Sequence, residues 1–206
     1  MTNPRTSTRH ERIDATRNRQ AILAAASALF TRPDAAAISM RQVAAVAGVG
    51  KGTVFRHFAD RETLIAAVLQ PRVTALREAI ESGPAPLGPG GPPEESLVAL
   101  VLALFDFAWH NRPLLRALEV QGPDAYYANA ASRFWIDELI RRLAATAPGT
   151  DHEYRGHVLF TALRADVIEY LMNSRGMDEH RLRAGLTELA RAQARSETRA
   201  HHVHNA

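Results

Sequence analysis

Apolar residues recur every three or four positions through almost every stretch of this chain between its Gly/Pro clusters, and strand-like alternation is weak throughout. The pattern predicts an all-α protein. From Asp14 to Phe30, the stripe Ile22, Ala26, Leu29 and Phe30 gives a first helix with one buried face, ended by Pro33, which disfavours helix at Arg32. The next start signal is more complete: Ser39 can cap, Gln42 completes a capping box, and Ile38 with Val43 forms a hydrophobic staple. This second helix is expected to end near Ala47. Gly48, Val49 and Gly50 then supply a turn, and Lys51 to Phe58 resumes a helical period with Val54 and Phe58 one turn apart. Two short helices joined in this way are a helix-turn-helix arrangement. Asp60 can cap a fourth helix carrying Leu64, Ile65, Val68, Leu69, Leu76 and Ile80 on its inner side, and Pro71 within it is expected to produce a kink.

The segment SGPAPLGPGGPP, Ser82 to Pro93, is the only low-complexity stretch; its composition builds no packed core, and it reads as a loop. Further helices are expected over 94–110, 113–119, 124–146, 151–173 and 178–195. The last two carry long apolar stripes, Leu159, Ala162, Leu163 and Leu171 on one, Leu182, Leu186, Leu189 and Ala190 on the other. They read as a homodimer face or, equally, as faces buried within one subunit.

Composition narrows the functions open to such a fold. At 206 residues the chain holds one sizeable core or two small domains. No apolar run approaches the roughly 18 residues of a membrane span, and the polar N-terminus lacks the apolar region of a secretory signal, so a cytoplasmic protein with no membrane partner is expected. The absence of cysteine excludes disulfides, thiolate catalysis and cysteine-held metals. Charge is unevenly divided: residues 1–70 carry ten Arg/Lys against five Asp/Glu, whereas 71–206 carry fifteen against seventeen. A basic head on a mildly acidic body suggests a polyanion partner for the head, although a solvated face gives the same count. All basic residues but Lys51 are arginine, which fits a genomic composition bias.

The stretch VGKGTVFRHF bears on two chemistries. A phosphate-binding Walker loop is excluded: Ala45 stands where its first glycine belongs, Gly52 follows Lys51 in place of Ser/Thr, and the preceding segment is helical. As a helix, with Val54 and Phe58 inward, the stretch turns Gly52, Thr53 and Arg56 outward and places Phe55 and His57 on the flanks. That face suits a recognition helix in a DNA groove. Gly52 lets the backbone approach, Thr53 and Arg56 reach base edges, and Lys51 and His57 address phosphates. The plainer reading is a solvated helix.

The run from RQAILAAASALF through ISMRQVAAVAGVGKGTVFRHFADRETLIAAVL resembles the DNA-binding head of the TetR family of bacterial transcription regulators, covering Arg17 to Leu69. The resemblance implies a three-helix head followed by a helical domain with an effector pocket and a dimer interface. It also implies phosphate contacts from Ser39, Lys51, Phe55, His57 and Arg61, with Thr53 and Arg56 nearest the bases. Three positions depart from the family pattern: Gly50 replaces a common capping serine, Phe55 a tyrosine and Arg61 a lysine. The implied organisation is a flexible basic arm over 1–13, a helix-turn-helix domain over 14–60, an effector-binding and dimerisation domain over 61–200, and a tail over 201–206. Arg5, Arg9, Arg12 and Arg17 of the arm are candidates for further DNA contacts.

In the C-terminal part, aromatic residues crowd neighbouring helices, and Phe105, Trp109, His110, Tyr126, Phe134 and Arg164 are the effector-pocket candidates, with core packing as the alternative for each aromatic. Asp106 and His110, four apart, share a face and can pair. His201, His202 and His204 sit in the tail and do not make a metal site; no catalytic constellation has motif context, and no cofactor is expected. The expectation is a homodimeric, effector-responsive repressor acting on double-stranded operator DNA in the bacterial nucleoid, not an enzyme. A constitutive architectural DNA-binding protein is the rival.

Overall fold

The computed structural model describes residues 4–32, 34–120, 122, 126–146 and 149–195, with side chains described from residue 13 onward except at 36. The described residues form α-helices and one 3-10 turn, with no strand. The chain divides into two compact units, Met1–Arg72 with Asn111–Ala125, and Val73–His110 with Tyr126–Ala206.

The first unit opens with α1, Pro4–Phe30. The helix begins at Pro4 rather than at Asp14, because the polar run ahead of Asp14 contains no breaker and proline is tolerated in a first helical turn. The side chains of Arg5, Arg9 and Arg12 lie outside the described residues, as does the tail with His201, His202 and His204. A 3-10 turn at Ala35–Ala37 leads to α2, Met40–Ala47, then α3, Lys51–His57, and α4, Arg61–Ser82. Ile22, Phe30, Val54, Phe58, Leu64 and Ile65 are inaccessible to solvent and make the core of this unit. Helix α4 continues through Pro71 as one element, and the boundary between the units falls just after it, between Arg72 and Val73.

The first unit also takes in α6, Arg112–Glu119, which the sequence places with the C-terminal part. Two hydrogen bonds tie it in. Arg61 Nη1 donates to the carbonyl of Ala117 at 3.0 Å. Arg72 Nη1 donates to Oδ1 of the buried Asn111 at 2.5 Å. Within the helix, the buried Glu119 carboxylate accepts from Arg116 at 3.0 Å, so its charge is not left unpaired.

The second unit is built on α5, Pro93–His110, whose Leu97, Leu100, Val101, Leu104 and Phe105 are buried. Around it lie α7, Ala130–Thr146, α8, His152–Ala162, α9, Ala165–Arg175, and α10, Glu179–Ala194. Helices α7 and α10 both pack on α5, and α8 packs on α7. The apolar stripes of the last helices are mostly buried inside the chain: Leu159, Leu163, Leu182, Leu186 and Ala190 are buried in a single copy, while Ala162, Leu171 and Leu189 are half-buried. The five buried residues therefore belong to the core of this unit.

Two expected boundaries shift in this unit. Helix α7 starts at Ala130, not 124, because Asn129 caps it, its Oδ1 accepting from the Ser132 amide at 2.9 Å. The expected helix over 151–173 is broken at Leu163–Arg164, where Arg164 is extended at φ −62° and ψ 140°. Its guanidinium folds onto Asp166, with Nε to Oδ1 at 2.9 Å and Nη2 to Oδ2 at 2.6 Å. Finally, the Gly/Pro segment is pinned to the unit, for the carbonyl of Leu87 accepts from Arg142 at 2.6 Å.

Candidate nucleic-acid interface

The helix-turn-helix is fixed by local hydrogen bonds. The Ser39 hydroxyl accepts from the Gln42 amide at 3.3 Å, and Gln42 Oε1 accepts from the Ser39 amide at 2.8 Å, closing the capping box. The same Oε1 lies 2.8 Å from the Ser39 hydroxyl, so that hydroxyl already has two partners within its own turn. Ile38 and Val43, the staple residues, are both buried. Gly48 ends α2 in the left-handed conformation at φ 67°, its amide donating to the carbonyls of Ala44 and Ala45. Gly50 then caps α3 with extended backbone and no side-chain bond, so a serine here would add a bond that this chain lacks.

Helix α3 presents the face its period predicts. Val54 and Phe58 are buried, Lys51, Gly52, Phe55 and Arg56 are exposed, and Thr53 and His57 are half-buried at the margin. A methyl group on Gly52 would meet nothing within 4 Å, so the backbone there is open to a close approach. Lys51 Nζ lies 5.6 Å from the centre of the Phe55 ring, which is 42% exposed. From Ser39 to Phe58 the sequence contains Arg41, Lys51 and Arg56 and no carboxylate. Over this stretch the head thus offers cations and amide backbone to a polyanion without a local acid to compete, and Arg17 and Arg19 are also exposed on α1, near Asp14.

Arg61 does not join this surface. Its Nε donates to the carbonyl of Ile38 at 3.0 Å, Nη1 to Ala117 at 3.0 Å and Nη2 to Ala35 at 2.7 Å. The guanidinium also lies over the Phe30 ring at 5.3 Å. Burial lowers its pKa, the direction for a cation removed from water. Every nitrogen is engaged with backbone inside the unit, so the geometry gives Arg61 the role of a clamp in place of the phosphate contact that the resemblance implies.

The effector-pocket candidates separate by burial. Phe105 and Tyr126 are core residues, Trp109, Phe134 and Arg164 are half-buried, and His110 is exposed. Ring contacts gather them in sets: Phe105 with Trp109 at 5.5 Å, Phe134 with Trp135 at 5.0 Å, and Tyr126 with both Tyr127 and Phe160 at 5.0 and 5.3 Å. Arg164 lies over Tyr126 at 4.9 Å while holding Asp166. The expected Asp106–His110 side-chain pair does not form. His110 Nδ1 meets the backbone carbonyl of Asp106 at 2.7 Å, and the Asp106 carboxylate pairs with Arg183. Two described cavities of this unit are lined by other residues, among them Ser96, Arg141 and Arg142, which sequence reasoning did not single out.

Comparison with known proteins agrees with this geometry. Residues 22–68 match the family described as bacterial regulatory proteins, tetR family. Over 62 residues the chain is 44% identical to the HTH-type transcriptional repressor Rv3405c of Mycobacterium tuberculosis, a match covering 30% of this chain and 33% of that protein. Over 59 residues it is 42% identical to an HTH-type transcriptional regulator of Staphylococcus aureus, covering 29% and 32%. The chain thus spans about a third of the length of the curated relatives it matches. The fold likeness extends much further. FadR from Bacillus subtilis, solved in complex with stearoyl-CoA, aligns over 86% of this chain and 98% of its own with a TM-score of 0.62 at 16% identity. NalD, the secondary repressor of the MexAB-OprM multidrug efflux pump in Pseudomonas aeruginosa, aligns over 86% and 95% with a TM-score of 0.56 at 21% identity. The head, residues 22–68, is thus similar in sequence to the tetR family of bacterial regulatory proteins, and the likeness in fold to solved regulators runs along most of the chain.

Proposed function

We infer that the protein is an effector-responsive transcription regulator, a repressor that reads a palindromic operator as a homodimer. The observation that carries this is the acid-free face of α2 and α3, where Gly52 is open, Lys51 and Arg56 are exposed, and the scaffold beneath is fixed by the capping box. Lys51 and Phe55 lie along the backbone-contacting edge, and Thr53 and Arg56 face the base edges, where arginine makes a bidentate contact to guanine. Ser39 and His57 flank them. A dimer sets two such helices roughly 34 to 36 Å apart, one turn of DNA, which is the reason for a palindromic site.

Support for repression comes from the relative named a repressor, and support for a ligand from the regulator solved with stearoyl-CoA. An effector acts by binding the DNA-competent and incompetent states with different affinity. Trp109, Phe134 and Arg164, half-buried in the second unit, are the pocket candidates with surface left to offer it. The homodimer face proposed lies on the last two helices expected from the sequence, 151–173 and 178–195, where Tyr154 and Tyr170 are 68% and 56% exposed and Leu171 and Leu189 half-buried.

The test is binding to DNA from upstream of the gene and to random DNA across a salt series. Arg56→Ala is expected to cost about 1 to 3 kcal/mol on the specific site and to relax base preference there. Lys51→Ala is expected to weaken binding to every sequence and to reduce the salt slope by about one. Equal losses on specific and random DNA for both variants would refute this division. Specific binding that no small molecule relieves favours the architectural reading.

A further inference from the structure

Arg142, on the inner side of α7, is a buried cation with incomplete partners. Its side chain is 4% exposed. Nη1 donates to the carbonyl and the hydroxyl oxygen of Ser96, each at 2.7 Å, and Nη2 to the carbonyl of Leu87 at 2.6 Å. Nε has no hydrogen-bond partner, and the Glu138 carboxylate stands 3.6 Å from it. That carboxylate is already held by Arg141 through two bonds, at 3.0 and 2.5 Å. Two guanidiniums therefore share one carboxylate; Arg141 is 64% exposed and keeps its hydration, so the costly under-compensated charge is that of the buried Arg142.

The same two arginines line a cavity of about 240 Å3. Its other walls are the Gly88–Gly91 segment and the first turn of α5, with Ile80 and Ala145 as apolar patches. The glycine wall is built to shape. The Gly88 amide donates to the Pro84 carbonyl at 2.9 Å, and a side chain on Gly88 would place its first carbon 1.8 Å from the Gly83 carbonyl oxygen. Only glycine fits there without moving backbone. The first turn of an 18-residue helix adds partial positive charge on the same side. The acids of that turn do not cancel it at the cavity. Glu94 is turned to Arg195, at 2.8 and 3.1 Å, and Glu95 lines a separate groove.

We propose that this cavity binds a small oxyanion, a carboxylate or a phosphate, whose charge completes the Arg141–Arg142 pair. The volume lies below the roughly 300 to 1,000 Å3 of sites for drug-sized ligands, so the group is compact, with at most a short apolar tail against Ile80 and Ala145. The site lies wholly in the second unit and is independent of the DNA-binding reading.

The test uses the full chain, titrated by calorimetry with sodium propionate and with inorganic phosphate at ionic strength matched by sodium chloride, with thermal unfolding measured in parallel. Saturable one-to-one binding of propionate or phosphate, with a raised Tm, is expected, and the arm that saturates identifies the ligand class. Arg141→Gln retains the bonds from Arg142 to Ser96 and Leu87 and is expected to weaken binding at least tenfold. Ala145→Phe fills the cavity without changing charge and is expected to abolish binding while leaving the helical spectrum intact. The proposal is overturned if neither anion binds above chloride, or if both variants bind as the wild type does.

Discussion

Replacing Arg61 separates a structural clamp from a DNA contact. In the native chain its three nitrogens satisfy the carbonyls of Ala35, Ile38 and Ala117, which belong to the 3-10 turn, the segment entering α2, and α6. A hydrogen bond from a charged donor contributes about 1.5 to 3 kcal/mol. Three of them are not additive, and the side chain is only part-buried, so water replaces some of what is lost. Arg61→Ala is expected to destabilise the head by about 3 kcal/mol, and Arg61→Lys, which reaches one carbonyl in place of three, by about 1.5 kcal/mol. Urea unfolding followed by circular dichroism reads this as a lower midpoint at constant slope. Arg61→Ala, which removes the charge, is expected to keep wild-type DNA affinity and salt slope when assayed while folded. An unchanged urea midpoint together with a salt slope reduced by about one would refute the clamp and return Arg61 to the phosphate surface.

Two further perturbations test the head from opposite sides. Gly52→Ala adds a methyl into open space on an exposed helix, so stability is expected to rise by up to about 1 kcal/mol while DNA affinity falls; a variant that binds DNA as well as the wild type would show that no groove wall comes near that backbone. Asp60 accepts from the Thr63 amide at 2.7 Å, which holds its carboxyl below the ordinary value. The unfolded state therefore takes up the proton first as pH falls, so the cap's contribution is fully present above the unfolded value of about 3.9 and is lost as pH drops through the lower folded value. The stability gap between wild type and Asp60→Asn is expected to shrink on acidification from pH 6 to pH 3, and a gap that stays constant would remove Asp60 as its source.

The head was legible because its signals are local. The capping box spans Ser39 to Gln42, the left-handed stop sits on Gly48, and the buried pair Val54 and Phe58 lies one turn apart, all within reach of a helical wheel. What escaped is non-local or unmarked. The break between α8 and α9 falls in Leu163–Arg164, with no glycine or proline to announce it. Asn129 caps α7 by the same chemistry as Ser39, but the earlier Asp124 offered a competing start. The carbonyls held by Arg61 come from positions 23 to 56 residues away, and those held by Arg142 from 46 and 55 residues away, distances at which no periodicity speaks.

Periodicity also reports that a face is buried without saying by what. The stripes on the last helices looked as suitable for a second subunit as for the chain's own core, and burial of Leu182, Leu186 and Ala190 in one copy assigns them to the core. Charge has the same ambiguity in a chain whose cations are almost all arginine. Arg61 counts toward the basic head yet is tied to backbone, Arg77 and Arg164 lie over Phe134 and Tyr126 at 4.1 and 4.9 Å, and Arg142 is closed in behind Ser96. A guanidinium can serve as glue because it is planar, offers five donors and is weakly hydrated; a lysine ammonium serves that role poorly. The one lysine stands at the start of α3 on the exposed face, beside Arg56, with no carboxylate from Ser39 to Phe58. The case for DNA recognition thus rests less on how basic the head is than on which of its cations the fold leaves with open donors.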